Sequence, residues 1–209
     1  SIYRGISKLT PGSILQVSLN NREPKLWLYW SADEVAYNGI TRANMRSESE
    51  VLVELEGLLR QSIKQQMVAD VPLGAYLSGG VDSSLVVALM QQQSNLPVKT
   101  FTIGFSEKEY NEAEHAKAVA THLNTEHTEL YASPEEAMDV ILKLPALYDE
   151  PFSDPSQIPT FLLSKLARQH VSVSLSGDGG DELFCGYNRY LFGDQLWNKL
   201  SLLPVSLRR

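Results

Sequence analysis

Two short stretches hold most of the residues that could do chemistry. The first is Ser78-Gly79-Gly80-Val81-Asp82-Ser83-Ser84. Adjacent glycines let a backbone turn tightly and approach a ligand closely. A helix starting just after them would add unpaired N–H groups and a partial positive charge, and the hydroxyls of Ser78, Ser83 and Ser84 would add donors. Together these form a phosphate cradle. Asp82 would repel a phosphate unless a cation stood between them, so the pattern calls for Mg2+. The Lys of the GxxxxGK[ST] loop is missing, so this is not an ordinary P-loop.

The second stretch, Ser176-Gly177-Asp178-Gly179-Gly180-Asp181-Glu182, repeats the logic: Ser-Gly, further glycine, carboxylates, then a helix. If the strands before the two stretches are parallel neighbours, both loops face one crevice. Asp82 and Asp181 would then share a magnesium–phosphate cluster, and Asp178 would act on the reacting substrate. The simpler alternative is that Asp178 and Asp181 only cap the next helix.

The intervening sequence alternates strand and helix. Leu73 to Leu77 is a short buried strand, and Ser83 to Gln93 a helix with Leu85, Val86, Leu89 and Met90 inward. Val98 to Phe105 is a second strand. Asn111 is an N-cap, followed by the stripe Ala113, Ala116, Ala120 and Leu123. Thr128 to Tyr131 is a weaker strand. Ser133-Pro134-Glu135-Glu136 opens a helix as a capping box, with Ala137, Ile141 and Leu144 buried. A helix over about 160–169 leads to a fourth strand, Val171 to Leu175. Before all of these, Leu52, Leu55, Leu59, Ile63 and Met67 lie on one helical face. Strands separated by helices predict βαβ units, hence an α/β fold with a parallel, Rossmann-like sheet flanked by helices. Ligands in such sheets bind beyond the carboxyl ends of the strands, where both glycine stretches fall.

The first thirty residues read differently. Ser13 to Leu19 and Leu26 to Trp30 are short β segments joined by the turn Asn20-Asn21-Arg22, and Pro11-Gly12 marks another turn. A hairpin cannot make a core alone, so this is a short N-terminal β appendage. Residues 31–46 are polar and unpatterned, as in a linker. Residues 1–36 are read as the tail of an upstream domain with its linker, and 37–209 as the first part of the main domain.

The chain has 209 residues, 43% hydrophobic and 21% charged. That composition excludes collagen-like, disordered and disulfide-stapled classes. No run approaches the roughly 18 apolar residues of a membrane helix, so no membrane partner is expected. A net charge of −7 argues against coating a nucleic-acid backbone. The single cysteine, Cys185, suits a reducing, cytoplasmic compartment.

Both glycine stretches carry a family resemblance. Ser78 to Ser84 resembles the pyrophosphate loop of ATP pyrophosphatases, whose fold is that of adenine nucleotide alpha hydrolases. Adding Ser176 to Glu182, with Phe184 and Gly186-Tyr187 after it, the pair resembles the synthetase domain of glutamine-hydrolysing asparagine synthetases over most of residues 48–192. Pro11-Gly12 and Tyr29-Trp30 are similar to that family's passage out of its glutaminase domain. The resemblance implies that Ser78, Gly79, Gly80, Val81, Asp82, Ser83 and Ser84 bind the ATP phosphates. Tyr76 and Leu77 would meet the adenosine, Ile103 the adenine, and Ser176 and Gly177 another part of the nucleotide. Asp82 and Asp181 would hold Mg2+. Asp178 would serve formation of an aspartyl-adenylate, a position where some members carry Glu.

The implied reaction is amide formation. ATP activates the side-chain carboxylate of aspartate, and glutamine-derived ammonia displaces AMP. The small-molecule partners would be ATP, aspartate or another carboxylate, and ammonia; a homodimer is compatible with the family. Related readings are an amidotransferase acting on a sugar acid or other carboxylate, and a nucleotide-binding remnant without turnover. Cys185 replaces a glycine usual in the family's Phe-Gly-Gly-Tyr stretch and is expected to be a small buried residue rather than a nucleophile. The family extends past residue 209 into a helical region carrying a Lys near the reacting centre, so residues 1–209 are expected to be a fragment, inactive alone. Its last apolar residues, Leu200, Leu202, Leu203, Val205 and Leu207, are expected to need a partner surface. Acids in Asp149 to Asp154 could hold an α-ammonium group, or form a solvated loop. His115, His122, His127 and His170 read as surface or capping residues. Arg189 could reach an anion or form a surface ion pair.

Overall fold

The computed structural model describes residues 1–20, 22–41, 46–105, 112–151, 153–202 and 204. Asn21 of the expected turn, part of the expected linker, the expected N-cap Asn111, and Leu203, Val205 and Leu207 lie outside these residues. The chain divides into two compact units, Ser1–Leu55 with Pro145–Phe152, and Glu56–Leu144 with Ser153–Arg209.

The first unit contains the hairpin. Strands β1 (Ser13–Gln16) and β2 (Lys25–Leu28) pair antiparallel, with Ser13 opposite Leu28. The segment read as a linker contains a helix, α1 (Ala32–Thr41), with no buried residue. Asp33 and Glu34 in its first turn suit the positive helix end, and Ser31 Oγ accepts the Glu34 N–H at 3.4 Å. Ala32, Val35, Ala36 and Ile40 recur in it at helical spacing, a signal that reading residues 31–46 as unpatterned passes over. Helix α2 (Glu48–Gln66) starts here with Ser47 as its capping residue, bonded to Glu50. Leu52, expected to be buried, is 56% exposed.

The second unit is built on strands β3 (Leu73–Tyr76), β4 (Lys99–Phe105), β5 (Glu126–Ala132) and β6 (Val173–Leu175). Their order is β5-β4-β3-β6, and all neighbours are parallel. β3 has β4 on one side and β6 on the other, with Leu73 opposite Val173 and Ala75 opposite Leu175. The chain thus reverses its direction of travel across the sheet between β3 and β6. The two glycine stretches follow these two strands, at the point where open α/β sheets bind ligands.

Both sheet faces are covered, which explains the apolar content of the strands. On one face Ala75 and Leu77 pack with Ile63 of α2, with Val87, Leu89 and Met90 of α3 (Val81–Gln91), and with Ala116 and Ala120 of α4 (Ala113–Leu123). On the other face Phe101 packs with Ala167 of α7 (Gln157–Ala167). There Ala132 also packs with Leu162 of α7 and Val140 of α5 (Pro134–Ile141). The capping box of α5 forms as expected, Ser133 Oγ accepting the Glu136 N–H and Glu136 Oε2 accepting the Ser133 N–H. Two buried stripes differ from expectation by phase. Val87 rather than Leu85 is buried in α3, and Val140 rather than Ile141 in α5; Leu85 and Ile141 are exposed. A short α6 (Leu144–Leu147), then α8 (Gly180–Phe184) and α9 (Asn188–Leu200), complete the helices among the described residues; none of these three has a buried residue.

Candidate active site

The first loop leaves β3 at a buried anchor. Leu77 is 1% exposed, and its N–H bonds Phe101 O at 2.9 Å. Gly79 then takes φ +82, where a Cβ would also lie 2.6 Å from Ala116 N, so the turn packs directly on the first turn of α4. Gly80 is the N-cap of α3, extended and without a side chain to cap with. The hub is Ser83, 8% exposed. Its Oγ accepts the Ser78 N–H at 3.2 Å, lies 2.9 Å from Ser78 Oγ, and donates to Gly80 O at 3.3 Å. Ser83 therefore braces the loop instead of standing free as a ligand donor. The first N–H groups of α3 have no intrahelical acceptor and form the cradle's positive end.

The second loop is fitted to the first. A Cβ on Gly177 would sit 2.7 Å from Ser83 N and 3.0 Å from Asp82 C. One on Gly180 would sit 2.5 Å from Asp82 Oδ2. Only glycine at both positions lets the two loops touch and leaves room for the Asp82 carboxylate. Ser176 Oγ donates to Asp178 Oδ2 at 2.9 Å, fixing one oxygen of that carboxylate. Asp181 is partly buried, and its carboxylate lies against Gly186.

Around both loops lies a cavity of about 700 Å3. The structure brings Tyr76, Leu77, Ser78, Gly80, Val81, Asp82, Ser83, Ile103, Ser176, Gly177, Asp178 and Asp181 to its lining. Gly79 and Ser84 are not in the lining. Gly79 is turned onto α4, and the half-buried Ser84 opens the helix by donating its N–H to Gly80 O at 3.1 Å. Phe184 and Gly186, read only as part of the resemblance, also line the cavity, and Thr102, Glu112, Thr160 and Leu163 complete the lining without having been singled out in the sequence. Thr102 could have been found from β4's alternation, because Phe101, Ile103 and Phe105 face α7 and Thr100 and Thr102 face the other way. For Thr160 and Leu163 the sequence holds only an ordinary helical pattern.

No Lys or Arg is among the described lining residues, whereas Asp82, Asp178, Asp181 and Glu112 are. An anionic ligand needs a cation here. The donor set, two carboxylates on facing loops, suits Mg2+, which takes one or two carboxylates and completes its shell with phosphate and water. Among the described residues no group of three or more His, Cys, Asp or Glu is assembled for a metal.

Other candidates fall elsewhere. Glu150 accepts the Ile2 N–H at 3.0 Å and pairs with Lys8, whose bond to it holds this carboxyl below its usual range. Asp154 Oδ1 accepts the Ser156 N–H at 2.8 Å. Both acids are thus already committed. Cys185 is exposed, not buried, because α8 buries nothing. It caps that helix at φ 58, a left-handed conformation that suits a glycine, so the departure from Phe-Gly-Gly-Tyr is absorbed at some strain. Arg189 stacks 4.0 Å over the Tyr187 ring, and Tyr187 donates to Glu182 Oε1 at 2.7 Å, which raises the phenol's pKa to about 12. His127 is half-buried rather than a surface group. Its Nδ1 lies 2.9 Å from Thr100 Oγ1, its Nε2 is buried without a partner among the described residues, and burial lowers its pKa.

Comparison with known proteins shows the chain's family. The family model described as asparagine synthase matches residues 54–209. The chain belongs to the asparagine synthase family. A Methanocaldococcus jannaschii protein provisionally named glutamine-hydrolysing asparagine synthetase 2 is 38% identical over the full chain, which covers 39% of that protein. Glutamine-hydrolysing asparagine synthetase 1 of Bacillus subtilis is 36% identical over 75% of the chain and 25% of its own length. This asparagine synthase family member thus spans well under half the length of the curated relatives it matches. Among solved structures, NMN synthetase from Francisella tularensis superposes with a TM-score of 0.43 at 18% identity, over 68% of this chain and 59% of that one. The α/β assignment itself stands on the four-stranded parallel sheet with helices on both faces. Among the described residues no helix is long and apolar enough to cross a membrane.

Proposed function

We propose that this chain is the ATP-using part of an asparagine synthetase, which activates the side-chain carboxylate of aspartate as an acyl-adenylate for attack by ammonia. The observation that carries the reading is the contact between the two loops. Gly177 and Gly180 admit Asp82 and Ser83 of the first loop, and three aspartates on the two loops face one cavity.

In this reading the α3 N-terminus and the turn at Gly79-Gly80 take the phosphates. Tyr76, Leu77 and Ile103 border the adenosine, with Ser176 and Gly177 at another part of the nucleotide. Asp82 and Asp181 hold Mg2+, which when bound neutralises charge on the departing pyrophosphate. A carboxylate oxygen of aspartate attacks the α-phosphorus, and the bond to the bridging oxygen breaks to release pyrophosphate. Ammonia then adds to the acyl carbon, AMP departs with the bonding pair, and the nitrogen loses a proton. Asp178 stands at this centre. Ser176 holds its Oδ2, leaving Oδ1 to accept that proton. The relatives' names point to glutamine as the source of ammonia.

The bond cleaved is the test. The full-length protein is incubated with ATP, Mg2+, aspartate and ammonia, and the nucleotides are resolved by chromatography. AMP and pyrophosphate are expected in step with asparagine. ADP and phosphate as the main products would overturn the reading.

A further inference from the structure

Glu112 is a carboxylate at an N-cap that does not cap. It stands at the N-cap of α4, yet its side chain makes no cap hydrogen bond. Among the described residues it forms no ion pair, and it lines the cavity instead. It is also the cavity's one described acid that belongs to neither glycine loop. The sheet order separates it from the others. Asp178 and Asp181 follow β6 on one side of β3, and Glu112 follows β4 on the other.

Its neighbours indicate which part of a ligand it would meet. Gly79 of the phosphate loop packs on His115 and Ala116, so the first turn of α4 adjoins the cradle. Thr102 and Ile103, near the end of β4, line the same cavity and offer the wall for a base. A group that adjoins the phosphate cradle and shares the cavity with a base wall suits the sugar of a nucleotide. A carboxylate is wrong for phosphate, but it has two oxygens that can accept from two adjacent hydroxyls.

Resting on the nucleotide-site reading above, we propose that Glu112 accepts hydrogen bonds from the ribose 2′- and 3′-hydroxyls and makes the site selective for ribonucleotides. A bond from a hydroxyl to a charged acceptor, lost, corresponds to about a tenfold to hundredfold loss of affinity.

The test is calorimetric titration of the chain with ATP, 2′-deoxy-ATP and 3′-deoxy-ATP, each with Mg2+, for the native protein and for Glu112→Ala and Glu112→Gln. Glu112 is exposed, so neither variant should disturb folding, and thermal melting checks this. The native chain should bind at least one deoxy analogue about tenfold or more weaker than ATP. In Glu112→Ala, ATP should fall to the level of that analogue, whose own binding stays the same; Glu112→Gln, which keeps one acceptor oxygen, should be intermediate. Equal affinity for all three nucleotides in the native chain overturns the assignment while leaving the nucleotide site standing. So does a Glu112→Ala variant that weakens all three alike, which would place the contact away from the sugar. Failure of the native chain to bind ATP at all would overturn both.

Discussion

The two glycine loops have nearly the same recipe and different settings. The first springs from β3, whose Ala75 is fully buried, and is braced by the buried Ser83. The second springs from three residues of β6, with Val173 42% exposed, and runs into a five-residue helix that buries nothing. The glycines at their contact belong to the second loop: Gly177 and Gly180 make room for Asp82 and Ser83. The first loop is thus a template set by the core, and the second is shaped to it. Similar residues can therefore divide the work: in the proposed reading the first loop holds the phosphates, and the second shares the nucleotide and metal and alone brings Asp178 to the reacting centre.

The largest expected effect separates those duties. Asp178→Asn should reduce amide formation by about a hundredfold or more, the usual scale for a lost proton acceptor, while ATP affinity stays within about twofold. Measured by product formation and calorimetry together, a parallel loss of binding would mean that Asp178 itself holds the nucleotide, like its neighbours Ser176 and Gly177, and is not reserved for the reacting centre.

Fitting the second loop to the first has a cost when disturbed. Gly177→Ala drives a methyl against the Ser83 backbone N and should destabilise the fold by about 1–3 kcal/mol in a urea titration. Gly179→Ala meets only open space and should cost less, the strain of φ +89 alone. Equal costs would deny that the loops are in contact.

The bracing serines offer a milder contrast. Ser83→Ala removes a buried hub and leaves the Ser78 N–H without its acceptor, which should cost about 1–2 kcal/mol of stability. Ser176→Ala should barely change stability, since its bond to Asp178 lies in a more exposed loop, but it should lower turnover. A reversed ranking in melting experiments would make the second loop the rigid one.

The smallest effect concerns the sheet that carries the template. Burial lowers the pKa of His127 from 6.5, opposed by Glu129 and assisted by Lys117. The folded state therefore prefers the neutral ring, and the unfolded chain takes up the proton first. This group's contribution to stability is complete above pH 6.5 and is lost as pH falls below it toward the lower folded value. The melting temperature should drop more between pH 7 and 5 in the native protein than in His127→Gln. Identical slopes would assign the acid sensitivity to other groups.

Much of this was legible in the sequence because glycine and aspartate at a strand–helix junction leave few physical options. The alternation of strands and helices gave the fold class, whereas the pairing of β3 with β6 stood only as a condition, since apolar runs do not say which strands are neighbours. What stayed hidden has identifiable causes. Helix α1 does carry a short apolar repeat, Ala32, Val35, Ala36 and Ile40, but among polar neighbours and over only ten residues it reads as linker. Leu85 lies two positions from the buried Val87 and Ile141 one from the buried Val140, because a short apolar run fits neighbouring helical phases nearly equally well. Cys185 was expected inside by its residue type, but the five-residue helix that it caps has no interior. Glu112, Thr160 and Leu163 reach the cavity only through tertiary packing, since the intervals between them and the glycine stretches carry no motif.

In the proposed reading Asp82 belongs to a metal-dependent phosphate site at the contact of the two loops. Titrating ATP into the chain by calorimetry, with Mg2+ and with EDTA, for the native protein and Asp82→Asn, tests it directly. Native binding with Mg2+ should be tighter by about tenfold or more than in the other three combinations, since a carboxylate facing phosphate is tolerable only with a cation between them. Equal affinity in all four would contradict the account.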